Sequence, residues 1–251
     1  MGLSLISKVN INNIPVSCLS DAVINSTTRG CEDAELTFSK YINIKVGSKI
    51  DVYLGYFKYG LKPEFSGIVT EITSKSPLTV KCYDQSVKLG SQKISRSFTN
   101  EPLAKIVKQT AKGLQVVTDA AVLKKLATIV APGITRRMLL SKLARDYSFI
   151  TFFSGGKLFF VSPEFFEVFE EAVFSEGKNI IENNLKIKNK SISGEIYVPG
   201  HPFVRAGMYF SIDTEKVKGV YLADKVEISF GSNGFRRRIF PGKKSLKKQV
   251  K

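Results

Sequence analysis

The sequence is poor in histidine and cysteine, which carry much metal and nucleophile chemistry: 251 residues include one histidine, His201, and three cysteines. Four-ligand zinc sites need clustered cysteine and histidine at short spacing, and Cys18, Cys31 and Cys82 are scattered along the chain. An odd, low cysteine count suits a reducing compartment better than a disulfide framework. No run reaches the roughly 18 apolar residues of a membrane-spanning helix. Met1–Lys8 lacks the basic and then apolar regions of a secretory signal, and Ile6 stands where a myristoylation signal wants serine or threonine. A protein made and folded in a cytoplasm is expected. Acidic residues are scarce too, 22 against 38 basic ones, which leaves a net charge of +16. That excess favours acidic partners such as nucleic acid, anionic lipid or an acidic protein surface. Residues 235–251 hold eight of the basic residues and no acid, so half of the excess lies there.

What is present suffices for a packed core: 43% hydrophobic residues against 24% charged, in a length that fits one large domain or two small ones. Residues 1–98 read as β. Lys49–Leu54 alternates with Ile50, Val52 and Leu54 on one face, Leu78–Cys82 does the same, and Phe65–Thr73 between them is rich in β-branched residues. Leu3–Ile11, Ile14–Leu19 and Glu35–Phe38 are shorter candidates, with turn-forming separators at Asn12-Asn13, Thr27–Gly30, Gly47-Ser48 and Ser74–Pro77. Short strands at that spacing suggest a sandwich or small barrel.

The period changes near residue 99. Asn100-Glu101-Pro102 supplies a capping residue and a first-turn proline; Leu103, Ile106, Val107 and Thr110 follow at helical spacing, and Gly113 ends the helix. A second helix starts near Thr135 with Leu140, Leu143, Ala144 and Tyr147 on one face. Phe149–Phe153, a Ser154-Gly155-Gly156 turn and Lys157–Val161 then make a hairpin. The phenylalanines of Glu164–Phe174 fit either a helix or a buried strand. Glu195–Val198, Tyr209–Ile212 and Leu222–Phe230 are strands, and from Gly231 onward an exit loop and disordered tail are expected. The two β regions echo each other: Gly47 opens a strand and Gly67–Thr73 returns, as Gly207 opens a strand and Gly219–Ser229 returns.

Chemical motifs give little. Gly155-Gly156-Lys157 lacks the serine or threonine of a phosphate-binding loop, because Leu158 follows, and a hairpin is the wrong context. No glycine-rich dinucleotide fingerprint follows a strand. A serine or cysteine nucleophile wants a histidine base, and the single histidine, His201, lies in a Pro-Gly-His-Pro turn and reads as a loop residue. The acidic pairs Glu32/Asp33 and Glu170/Glu171 read as solvated charge rather than as facing catalytic carboxylates. Cys82 reads as a core residue. The expectation is no enzyme, no metal and no cofactor. The basic run Arg236, Arg237, Arg238, Lys243, Lys244, Lys247, Lys248 and Lys251 is the candidate contact for a polyanion or partner, or else a solubilising terminus that orders in an assembly.

The order of parts carries a resemblance. Phe65–Val69, Leu78–Asp84 and Leu89 are followed by Leu103–Val107, Leu139–Tyr147, the Gly155–Phe160 hairpin and Glu176–Ile180, and this layout resembles the baseplate hub proteins of phage tails. That family includes the late control protein D group and the N-terminal part of VgrG spike proteins. The resemblance implies a mainly β fold, with two related small β-barrel domains flanking an insert of two helices and a hairpin. Its boundaries would be 1–98 for the first barrel, 99–171 for the α+β insert, 172–234 for the second barrel and 235–251 for a basic tail. It further implies a homotrimeric ring between a six-fold tail tube protein and a three-fold central spike protein, in the tail baseplate of a virion assembled in the host cytoplasm. A tape-measure protein or DNA would meet the basic tail. The chain is shorter than the family's larger members, so spike and cell-wall cleavage would belong to other chains. Two other classes make different predictions. A nucleic-acid-binding β-barrel protein using the basic tail would bind in a salt-dependent way; a tail-associated hydrolase would need converging carboxylates.

Overall fold

A computed structural model describes residues 4–28, 30–162, 165, 172–188 and 191–244. The first β region contains β1 (Leu5–Ile11), β2 (Ile14–Val16), β3 (Leu19–Thr27), β4 (Asp33–Phe38), β5 (Lys49–Tyr56), β6 (Gly60–Lys75) and β7 (Leu78–Asp84). The middle region follows as α1 (Val87–Ser91), β8 (Lys93–Pro102), α2 (Leu103–Thr110), β9 (Gln115–Thr118), α3 (Ala120–Leu123), β10 (Leu126–Thr135), α4 (Arg136–Asp146), β11 (Ile150–Ser154) and β12 (Lys157–Val161). The last region contains β13 (Val173–Ser175), β14 (Glu182–Asn183), β15 (Lys186–Lys188), β16 (Ser191–Ser193), β17 (Ile196–Pro199), β18 (Tyr209–Asp213), β19 (Lys218–Gly231) and β20 (Gly234–Lys244). The fold is mainly β, with two related small β-barrel units flanking an α+β insert.

Alternation builds the first unit as expected. Ile50, Val52 and Leu54 on β5 and Leu78, Val80 and Cys82 on β7 all point inward and are buried. The two units are not separate bodies. One hydrogen-bonded path runs β14-β17-β20-β19-β3-β4-β7-β6-β5-β1-β2, with β13 and β18 attached beside β19. The junction is antiparallel β3–β19 pairing, where Ile24 faces Ile228. Both residues belong to one apolar core that spans the two units.

The echo seen in the sequence is a structural repeat. Gly47 and Gly207 both take left-handed φ, +90° and +89°, in a turn that enters a strand. Gly47 N donates to Val69 O and Val69 N to Ser48 O; Gly207 N donates to Ala223 O and Ala223 N to Met208 O, each at 2.7–2.9 Å. Immediately beyond, each long strand carries a β-bulge against its partner, between Val69 and Glu71 on β6 and between Ala223 and Lys225 on β19. After the bulge Ile72 faces Val80, as Val226 faces Ile239. A shared turn, bulge and register is a stronger sign of duplication than shared alternation, because a bulge occupies one specific register position.

The insert has its own core, with Leu103, Ile106 and Val107 of α2 against Leu139, Leu140 and Leu143 of α4 and Phe153 and Phe160 of the hairpin. In that hairpin Ser154 faces Lys157, so Gly155-Gly156 is a two-residue turn with both φ positive, as a twisted hairpin requires. Several expectations need correction. Asn100-Glu101-Pro102 ends β8, which pairs with β10, and leads directly into α2; Pro102 stands at the N-cap rather than in the first turn, and it gives no side-chain cap. Leu89 and Phe98 pack in the insert's core, so the first β unit ends with β7 at Asp84 and the insert begins before residue 99. Besides two helices and a hairpin, the insert holds α1, α3, the β8–β10 pair and β9, which lies parallel to β12. Residues 235–244 are not tail. They form β20, inside the second unit, because Phe235, Arg237 and Ile239 alternate inward between β17 and β19. Of Glu164–Phe174, positions 164 and 166–171 lie outside the described residues, and Val173 and Phe174 are in β13.

Candidate functional site

Two arginines of the second unit reach across to the first at β6 and the turn before β4. Arg237 donates from Nη2 and Nη1 to both oxygens of Glu64, at 2.5 and 3.1 Å, and from Nε to Gly200 O at 2.9 Å. Its guanidinium sits over the Phe203 and Phe235 rings, at 5.1 and 5.3 Å from their centroids. Arg205 Nη2 donates to Glu32 Oε1 at 2.5 Å and Nη1 to Pro63 O at 3.1 Å. All four charged side chains are at most 2% exposed. Tyr56 adds a hydrogen bond from its hydroxyl to Phe235 O at 2.8 Å, and Tyr59 stacks on His201 with centroids 4.0 Å apart. The insert meets the same seam, since the Gly155-Gly156 turn lies against Arg205 and Ser66.

The Glu32 site is a compact buried polar network. Glu32 Oε1 also accepts from Ser26 Oγ, and its backbone N–H donates to Asp84 Oδ2 at 2.5 Å. Asp84 Oδ1 accepts from Ser86 N, and Arg137 Nη2 donates to Ser86 O, Ser86 Oγ and Cys31 Sγ. Burial pushes the Glu32 carboxyl above its ordinary value; the Arg205 charge opposes this and the Asp84 charge adds to it. Asp84 is likewise raised by burial, against the hydrogen bonds it accepts. Glu32 therefore departs from the expectation of solvated charge: its neighbour Asp33 faces outward to Asn25 Nδ2 at 2.8 Å, while Glu32 points in. The partner Arg205 lies 173 positions away, so nothing local in the sequence marks it. Glu170 and Glu171 lie outside the described residues.

The structure does not keep the predicted basic run together as one surface. Arg236 is exposed on β20, Arg237 is interior, and Arg238 is half-buried between Glu195 and Glu227 at 3.1 Å each. Lys243 and Lys244 end β20, and Lys247, Lys248 and Lys251 lie outside the described residues. Arg237 cannot serve as a solvated contact, because its donors are committed to Glu64, Gly200 and Val204. Cys82 is a core residue, its thiol pushed up to about 12 by burial. Among the described residues no three His, Cys, Asp or Glu side chains cluster as metal ligands, and no helix is long and apolar enough to cross a membrane. A groove of about 780 Å³ runs between α4 and β11 of the insert and β19; the one carboxylate in its lining, Asp224, accepts from Thr28 Oγ1.

No protein-family model and no curated protein sequence matches the chain. Solved structures do. The 43 kDa tail protein of prophage MuSo2 from Shewanella oneidensis superposes with a TM-score of 0.77 at 15% identity, over 96% of this chain and 98% of that one. A tail protein from Neisseria meningitidis gives 0.77 at 11% identity, over 96% and 97%. This chain has a phage tail-protein fold. An Escherichia coli component of the type VI secretion system, described as structurally similar to the T4 tail proteins gp27 and gp5, shares the tail-protein fold with a TM-score of 0.63 at 10% identity, over 98% of this chain and 78% of that one. At such identities the likeness is one of backbone architecture, and it extends through both β units and the insert.

Proposed function

We propose that the chain is a structural baseplate hub protein of a phage tail or related injection machine. Three copies would form a ring that joins a six-fold tail tube to a three-fold central spike. The role is non-catalytic and needs no cofactor. The observation that carries it is the repeat within one chain: the Gly47 and Gly207 turns, with matching bulges, make two similar units. A three-fold ring of such chains presents six similar units to a six-fold tube and three whole chains to a spike. The tail-protein fold supports the same reading. So do the sheet ends: among the described residues the strand path stops at β2 and at β14, and unpaired edges are templates for another chain's strand. A rotational ring turns such edges into specific contacts. The two buried ion pairs fix one unit against the other, which a ring of fixed symmetry requires.

Partners under this reading are the chain itself, a tube protein on one face and a spike protein on the other, in the baseplate of a virion assembled in the host cytoplasm. Native mass spectrometry at low and high salt tests it. The expected species has three times the 27.8 kDa chain mass, survives high salt and captures tube and spike proteins. A chain that stays monomeric even with spike protein present overturns it.

A further inference from the structure

The positive charge is not spread over the fold. Residues 87–162, from α1 to the end of the hairpin, carry thirteen lysines and arginines against three acids, a net +10. Residues 1–86 come to +1 and residues 163–234 to −3. The insert therefore carries a larger net charge, +10, than the +8 of the C-terminal run, although it spreads that charge over more residues. Much of it surrounds one concavity of about 610 Å³ on the insert's own surface. Lys93 and Arg96 of β8, Lys108 of α2, Lys112 just beyond it and Arg136 at the start of α4 line it, with no carboxylate in the wall. Among the described residues none of the five takes part in an ion pair.

Helix capping accounts for only part of this cluster. The C-terminus of α2 is equivalent to about half a negative charge, and cations there are ordinary. Arg136 already answers it, donating from Nη1 to Gln109 O and Thr110 O at 2.9 and 2.8 Å. Those bonds also lock the guanidinium in place, with Nε buried and lacking a partner. Lys93, Arg96, Lys108 and Lys112 remain exposed around a fixed fifth cation. The wall has one aliphatic side chain, Ile94. A protein partner would want a desolvated apolar centre, which this face lacks; a polar, strongly positive concavity is what phosphate-backbone contacts use.

We propose that this face of the insert binds the phosphate backbone of a nucleic acid, without regard to its sequence. The inference stands apart from the hub reading and does not need a ring. Its test is fluorescence anisotropy of the full chain with a labelled duplex of about 30 base pairs, titrated at several salt concentrations. Each neutralised phosphate contributes about 0.9 to the slope of log affinity against log salt, so five contacts give about −4.5, a loss of roughly 500-fold between about 50 and 200 mM salt. Replacing Lys93, Lys108 and Lys112 together (Lys93→Gln, Lys108→Gln, Lys112→Gln) should flatten the slope by about 2.7 and leave the melting temperature unchanged, since all three side chains are exposed. Replacing Lys247, Lys248 and Lys251 by glutamine serves as the control and should leave most of the slope. The proposal fails if the duplex does not bind at low salt, or if the insert variant keeps the wild-type slope. It fails too if the C-terminal variant alone removes binding, or if polyglutamate at matched charge displaces the duplex, which would point to an acidic protein.

Discussion

Arg237 and Glu64 meet in the interior although 173 positions separate them, and neither side chain is more than 1% exposed. Their bidentate contact joins β20 to β6 and so ties the last strand of the described chain to the first β unit. The three successive arginines on β20 consequently have three different environments, and replacing them one at a time tests the strand assignment directly.

Arg237→Ala should cost about 3–5 kcal/mol in denaturant unfolding, because it strands the Glu64 carboxylate without its cation. Arg238→Ala should cost under about 1 kcal/mol, since its two carboxylate contacts are partly solvated and screened. Arg236→Ala should leave the unfolding midpoint where it is. A double variant, Arg237→Met with Glu64→Leu, should regain most of the loss of the single one. Equal effects at all three positions would rule out alternation along β20.

The buried carboxyls set a pH dependence of stability. Glu32 and Asp84 are held above their ordinary values of 4.5 and 3.8, chiefly by burial, so the folded state keeps protons that the unfolded state has lost. Their contribution therefore declines as pH rises through that window. Glu227 and Asp119 act in the opposite sense. Burial would raise both, but Lys225 and Arg238 hold Glu227 below 4.5, and hydrogen bonds from Ser162 and Val122 hold Asp119 below 3.8, so their contribution declines as pH falls. Glu32→Gln removes one titration: the stability gap between wild type and variant should shift against the wild type as pH rises above the carboxyl's ordinary value of 4.5. A gap constant with pH in paired unfolding curves would count against the assignment.

The two repeat glycines separate strain from crowding. Gly47→Ala puts a Cβ into open space at φ +90°, so only left-handed strain of roughly 1–2 kcal/mol is expected. At Gly207 the same Cβ would also stand 2.5 Å from the Phe152 ring of the insert, adding about 1–3 kcal/mol. Calorimetry of the two variants should show the larger fall in melting temperature for Gly207→Ala.

The thiols should differ in reactivity. Cys82 is buried with its thiol near 12, whereas Cys18 and Cys31 are half-buried. A colorimetric thiol reagent at about pH 8 should label no more than two cysteines in the native protein and three after unfolding. Rapid native labelling of Cys82 would contradict the packing of β7.

Where one element carries its own apolar period, the sequence announced it. Leu103, Ile106, Val107 and Thr110 mark α2, Leu140, Leu143 and Ala144 mark α4, and the paired glycines mark the β11–β12 turn. The Gly47 and Gly207 echo was visible as well, although only hydrogen bonding shows the shared bulge. The β8–β10 pair was not legible. Two of the three inward residues of β10, Ala127 and Ala131, are small, leaving Ile129 as the one strong strand former on that face, and Pro132-Gly133 reads as a turn. β20 was hidden by chemistry: three adjacent cations look solvated unless Glu64, far off in sequence, is known to receive the middle one. The basic concavity escaped notice for a similar reason. Lys93, Lys108 and Arg136 are spaced along three elements, and only the fold gathers them.

The pairing of β3 with β19 has a consequence for synthesis. Ile24 cannot meet Ile228 until about 200 further residues have been made, and at roughly 5–20 residues per second that is about 10–40 s of translation. Throughout that interval one flank of β3 has no native neighbour, and a nascent chain with a free strand flank is a target for other nascent chains on the same messenger. Completion of the sheet around β3 is thus timed by arrival of the last β unit.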